Sequence, residues 1–170
     1  MTSTGADRPE PPTIADERAQ LAGFLDFQRA TIVWKASGLT DEQARRSLVP
    51  SKQLTIAGLV SHLTLVEEWW YANVIGGAPD RWDEAIKADP DAEFRLGQRK
   101  PMATLIAEYQ AQCDRSREIL AKHELDEVVR LPSGTELTVR WVVIHMIEET
   151  ARHAGHLDLL RELTDGLTGE

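Results

Sequence analysis

The chain has 170 residues, a length that fits one domain and lets it bury roughly 70% of its unfolded surface without disulfides or a structural metal. Its 19 basic and 28 acidic side chains give a net charge of −9, which argues against nucleic acid or an anionic membrane as a partner, since both reward a positive face. A single cysteine, Cys113, cannot close an intramolecular disulfide, and no apolar run approaches the ~20 residues of a bilayer span. The polar start lacks a signal-peptide pattern, so a cytoplasmic protein is expected.

Residues 1–12 carry Gly5, Pro9, Pro11 and Pro12 among polar groups and read as a flexible tail, leaving 13–170 as the folded domain. Thr13 with Asp16 forms a helix-start pattern, followed by apolar residues at helical period from Leu21 to Val33 and a stop at Gly38. Thr40 with Gln43 opens a short helix that Pro50 is expected to end. Thr55 is expected to cap the next long helix, whose stripe of Ile56, Leu59, Leu63, Val66 and Trp70 predicts one buried face. Gly76, Gly77 and Pro79 stop it. The stretch 76–100, rich in Asp, Gly and Pro, is a long connection and a candidate lid.

Pro101 suits the first position of a third long helix, with Met102, Leu105, Tyr109, Cys113, Ser116 and Leu120 on one stripe. Between 126 and 138, β-rich runs flank Pro132-Ser133-Gly134 and predict a small hairpin. Thr138 to about Leu163 is helical again. Four long amphipathic helices without a convincing sheet predict an all-α four-helix bundle.

His62 follows Leu59 and precedes Val66, so it faces the bundle interior or its edge. On the last helix His145, Glu149, His153 and His156 fall within about 80° of one another, on the face that also carries Val142, Met146 and Leu160. A lone histidine in a bundle is ordinarily a hydrogen-bonded core residue. Four acid or imidazole groups on an inward stripe break the packing pattern, as sequences do mostly at functional sites. Imidazole and carboxylate are good ligands for zinc and related divalent ions. His145 and His153 lie ~12 Å apart along the axis, too far to share one ion easily. The workable pairs are His145 with Glu149, Glu149 with His153, or His153 with His156, each completed by His62. Three protein ligands would leave a position open for water or substrate. His123, beside Lys122 and Glu124, reads as an exposed cap. Cys113 sits on an apolar stripe and reads as a packing residue. Trp69, Trp70, Tyr71 and Trp82 are candidates for the lining of a pocket beside the metal.

The stretch Thr55-Ile-Ala-Gly-Leu-Val-Ser-His-Leu, with Glu67-Glu68-Trp69-Trp70 after it, resembles the second helix of the DinB-like superfamily. The run from Trp141 to Glu162 resembles its last helix. Together they are most similar to an actinobacterial branch formerly described only as a domain of unknown function. The resemblance implies a four-helix bundle of the DinB/YfiT-like type holding a divalent metal through three side chains. Many members carry His-x3-His on the last helix; here Glu149 takes the first place, as in the mycothiol-dependent maleylpyruvate isomerases. The resemblance thus selects His62, Glu149 and His153 as metal ligands and leaves His145 and His156 as pocket groups outside them. Zinc suits this set best, with nickel, manganese or iron as alternatives for a site hardened by a carboxylate. By the same resemblance, the expected activity is that of a metal-dependent transferase using a low-molecular-weight thiol, mycothiol, against an electrophile. The isomerases carry a further C-terminal domain, and this chain runs only briefly past the last motif, which favours a transferase over a thiol-dependent isomerase. The alternative is a non-catalytic, stress-related metal-binding bundle that forms a homodimer.

Overall fold

In the computed structural model, residues 8–169 are described. Four long helices form the bundle: α1 (Glu17–Ala36), α3 (Ile56–Glu67), α6 (Met102–Leu120) and α7 (Val139–Asp165). The short α2 (Asp41–Ala44) joins the first two, and the connection from α3 to α6 holds two more short helices, α4 (Asp83–Ala88) and α5 (Ala92–Gly97). An antiparallel hairpin of β1 (Val128–Arg130) and β2 (Glu136–Thr138), with Val129 opposite Leu137, leads into α7. Its turn passes through Gly134 at φ 89°, a conformation that only glycine adopts without strain. The all-α bundle expected from the periodicity is the fold observed. Among the described residues no helix is long and apolar enough to cross a membrane.

Most helix starts obey the expected capping chemistry. Thr55 accepts a hydrogen bond from the Gly58 amide, Thr138 accepts one from Trp141, and Thr40 with Gln43 completes a capping box. Three boundaries differ from the sequence reading. Asp16, not Thr13, caps α1, accepting from the Ala19 amide, because its carboxylate already stands at the cap position. Pro101 is itself the cap residue of α6, extended at ψ 143°, and the helix begins one residue later. The short α2 closes at Arg45, well before Pro50. Of the expected tail, residues 1–7 lie outside the described residues. Arg8 donates to the Thr31 hydroxyl and stacks on Phe27 and Trp34, so the last part of that segment lies against α1.

After Glu67 the helical path of α3 continues as a π-helical segment, Glu68–Ile75, with the Gly76 amide bonding back to the Tyr71 carbonyl. The buried stripe runs from Leu63 to Glu67 in α3, and the wider i→i+5 turn continues it through Tyr71 to Ile75. Val66 and Trp70, expected on that stripe, are left half-buried. On α6, all six expected stripe residues are buried.

The consequence of the shifted stripe is a charge in the core. Glu67 is 1% exposed and is gripped by Arg29 of α1 through two parallel hydrogen bonds of 2.7 Å. Asp26 accepts a third at 3.0 Å, and the guanidinium lies over the Tyr71 ring. Along α1 and α3 the pair falls between two apolar clusters, one around Ile32, Leu59 and Leu63, the other around Leu25, Tyr71 and Met146. Breaking a buried pair strands the other charge. Glu67→Ala is expected to lose about 3–5 kcal/mol in urea unfolding. The double change Arg29→Met with Glu67→Leu should lose less than that single one; a larger loss would contradict this account of the core.

Candidate metal centre

Three side chains from two helices converge where α3 passes α7. Thr55 starts α3 so that His62 falls on the α7 side, and Thr138 starts α7 so that Glu149 and His153 lie one turn apart. Glu149 Oε1 lies 3.3 Å from His62 Nε2 and 3.1 Å from His153 Nε2. The His62 and His153 rings meet edge to face with centroids 4.9 Å apart. One donor atom from each of the three side chains falls within 4.8 Å of the others. All three side chains are largely buried, with 14–20% of their surface exposed.

This donor set fits a divalent ion. Ligands about 2.0–2.1 Å from one tetrahedral zinc stand roughly 3.3 Å apart, close to the two contacts that Glu149 makes. The site also favours positive charge. Burial works to lower the pKa of His62, but its hydrogen bonds to Glu149 and Glu93 and their negative charges outweigh it and raise the value. Glu149 is held well below the usual carboxylate range, first by His153 and then by His62.

The other two histidines of the stripe stay outside the cluster. His145 stacks on Trp141 with centroids 5.1 Å apart, meets Trp70 edge-on, and points Nδ1 at Glu148. His156 places Nδ1 3.2 Å from Nδ1 of His153, on the far side of that ring from Glu149. Burial, then the charges of His153 and Arg152, lower its pKa. His123 pairs with Glu127 at the end of α6, away from the site.

A residue the periodicity did not single out completes the surroundings. Glu93 of α5 approaches His62 Nδ1 at 3.4 Å, so that His62 is held on both ring nitrogens. Phe94, its neighbour, stacks on the His62 ring at 4.8 Å. Glycine makes this approach possible: a Cβ on Gly97 would stand 2.4 Å from the Ala57 carbonyl oxygen. Ser61 then donates to the Glu93 carbonyl at 2.6 Å, and Gln98 to the Thr55 hydroxyl. Further along, Glu68 pairs with Arg81 and accepts from the Trp82 indole. The connection read as a candidate lid is therefore pinned to α3 at several points. The available signal was Gly58, a glycine inside a helix, which marks close backbone packing but not which residue comes near.

Two cavities flank the connection. A polar cleft of about 350 Å³ runs between α3, α5 and α6 and includes Ser61, Glu93 and Gln112 in its walls. An apolar groove of about 540 Å³ is lined by Leu65, Trp69, Trp82 and Ile86. Of the expected pocket aromatics, Trp69 and Trp82 thus line a cavity, whereas Trp70 packs against Trp141 and Tyr71 is core. A third cavity lies between α1 and α6; none of the three is lined by His62, Glu149 or His153, and the polar cleft adjoins the cluster through Glu93.

Cys113 borders that third cavity and is 3% exposed. Burial, with the nearby Glu67 charge, pushes its thiol up to about 12, so it stays protonated at neutral pH and is no nucleophile. A disulfide reagent such as Ellman's should leave the native protein unmodified for as long as it stays folded and titrate one thiol after denaturation; rapid modification of the native chain would contradict this assignment.

No curated protein and no solved structure gave a significant match to this chain. The model of the mycothiol-S-transferase family matches residues 20–166, a span that contains every long helix except the first turn of α1 and includes all three cluster residues. The chain belongs to the mycothiol-S-transferase family, a member of the DinB-like superfamily.

Proposed function

We propose that His62, Glu149 and His153 hold a divalent metal ion, zinc best fitting two imidazoles and a carboxylate, and that this site serves transfer of mycothiol sulfur to an electrophile. The observation that carries this reading is the convergence of three donor atoms within 4.8 Å, on faces that packing would otherwise fill with apolar groups, in a chain of this family. A carboxylate in the set leaves nickel, manganese and iron as competing occupants. A bound divalent ion with a position free of protein ligands supplies a Lewis acid that lowers the pKa of a thiol held there.

The chain's own residues do the rest. Glu93 and Phe94 fix the His62 ring, and His156 contacts the far nitrogen of His153, so both imidazoles turn Nε2 toward Glu149. With Cys113 buried and protonated, the reacting sulfur belongs to the co-substrate. In the transfer the thiol loses its proton to solvent, its sulfur bonds to the electrophilic carbon, and the leaving group departs with the electron pair of the broken bond. Leu65 and Trp69 lie one and two turns beyond His62 on its own side of the helix, so the apolar groove they line suits an apolar electrophile.

His153→Ala removes one ligand and leaves the fold's core untouched. It is expected to abolish both stoichiometric zinc uptake, measured by elemental analysis, and conjugation of mycothiol to a model electrophile such as monobromobimane above the uncatalysed rate. If zinc is lost while conjugation continues at the wild-type rate, the site is not catalytic. Zinc-loaded wild type that consumes no thiol with any of several electrophiles would favour a binding protein without turnover.

A further inference from the structure

We propose that the polar cleft between α3, α5 and α6 seats the hydroxyl-rich body of mycothiol, and that Glu93 is the wall this cleft shares with the metal centre. The inference rests on the function proposed above and adds where the co-substrate lies and which residue joins it to the site. Mycothiol is an acetylcysteine carried on a pseudodisaccharide, so its binding needs one place for sulfur and another for a polar body dense in hydroxyl groups.

Of the cavities beside α3, the cleft alone has the chemistry for such a body. Its volume of about 350 Å³ lies at the lower end of the roughly 300–1,000 Å³ of small-molecule sites. Ser61, Thr64, Gln112 and Arg115 line it together with Glu93, while the neighbouring groove exposes mostly apolar surface from its tryptophan and aliphatic side chains, with Asp80, Asp83 and Lys87 also in its walls. Trp82 stands between the two and belongs to both, held by its indole hydrogen bond to Glu68. Several lining groups have unused hydrogen-bonding capacity. Gln112 is 4% exposed, and its amide makes one long bond, 3.5 Å to the Ser116 hydroxyl. Arg115, on the exposed rim, faces no carboxylate within salt-bridge distance among the described residues, unlike Lys100 nearby, which pairs with Glu108.

Glu93 is the decisive group because its two oxygens stand in different situations. Oε1 faces His62 Nδ1 at 3.4 Å, whereas Oε2 is buried with no hydrogen-bond partner. A buried carboxylate oxygen left unpaired is costly, and native structures rarely keep one without a use. The last torsion of a glutamate is soft, so a small turn brings Oε2 to a hydroxyl donor seated in the cleft while the carboxylate keeps its place beside His62. The same side chain therefore positions a metal ligand and recognises the co-substrate. Glu93 is a positioning residue toward the metal and a specificity residue toward the thiol. Selection for mycothiol over simpler thiols follows, since a site built to pair a hydroxyl loses that pairing with an analogue lacking it.

The test compares equilibrium binding of mycothiol and of N-acetylcysteine, which keeps the thiol and lacks the polar body, by calorimetry. Ala111 lies on the exposed rim of the cleft, so Ala111→Trp fills it without disturbing the core. That variant is expected to weaken mycothiol binding at least tenfold, leaving N-acetylcysteine and zinc affinity at wild-type levels. Glu93→Gln, which keeps shape and size, should weaken mycothiol about tenfold relative to N-acetylcysteine, the loss of one charge-assisted hydrogen bond. Glu93→Ala should lower zinc affinity about 10- to 100-fold in competition with a chromophoric chelator. Unchanged discrimination between the two thiols in both Ala111→Trp and Glu93→Gln would overturn the cleft assignment, and unchanged zinc affinity in Glu93→Ala would overturn the positioning role. Failure of the wild type to bind zinc would instead remove the metal reading, and the Ala111→Trp comparison in metal-free protein would still decide the cleft.

Discussion

Glu149 accepts from two imidazoles on the seam between α3 and α7, and much of the molecule is arranged so that this contact forms. A carboxylate and two histidines on inward faces cost several kcal/mol of desolvation unless each finds a partner. They meet only if α3 and α7 pack in one register, which the Thr55 and Thr138 caps and the buried residues Leu59, Leu63, Met146 and Leu157 impose. The short helix α5 then closes the third side, brought to backbone contact by Gly97. The result is a polar cluster walled by core on one side and by the pinned connection on another.

The bundle carries a second buried polar element, the Arg29–Glu67 pair, and the two differ in a way that bears on function. Arg29 and Glu67 neutralise one another through a bidentate contact, with Asp26 accepting a third N–H of the guanidinium. Such a pair is self-sufficient and calls for no ligand. In the His62–Glu149–His153 cluster one carboxylate oxygen serves two ring nitrogens, and among the described residues no lysine or arginine pairs with it. In the function proposed above, a divalent ion would take up the charge left over there. The π-helical segment starts directly after Glu67; it carries Tyr71 under the Arg29 guanidinium and Trp69 to the apolar groove.

Much of this was legible in the residues, and the parts that were not have physical causes. The stripe of His145, Glu149, His153 and His156 stands out because helical period fixes which side chains share a face, whatever the surroundings. Period and rise left three ligand pairs open; family resemblance chose Glu149 with His153, and these are the two that the fold brings beside His62, while His145 stacks on Trp141. Tyr71 was hidden because a π-helical turn breaks the 3.6-residue period on which Trp70's place in the stripe depended, and Glu67 because a carboxylate is not expected in a core. Glu93 was hidden for another reason: it lies in an acidic connection where nothing local separates it from Asp89 or Asp91, and only the tertiary approach of α5 to α3 singles it out. The hairpin and two of the caps, Thr40 and Thr55, set by local chemistry, were readable in advance.

The proposed function depends on whether His62, Glu149 and His153 hold a divalent ion. X-ray absorption at the zinc edge, on purified protein loaded with one equivalent of zinc and free of added thiol, reads the ligand shell directly. The expected spectrum has two imidazole nitrogens at about 2.0–2.1 Å, carboxylate and water oxygens at similar distance, and no sulfur. A shell containing sulfur, a third or fourth imidazole closing the site, or protein that takes up no zinc at all would contradict it.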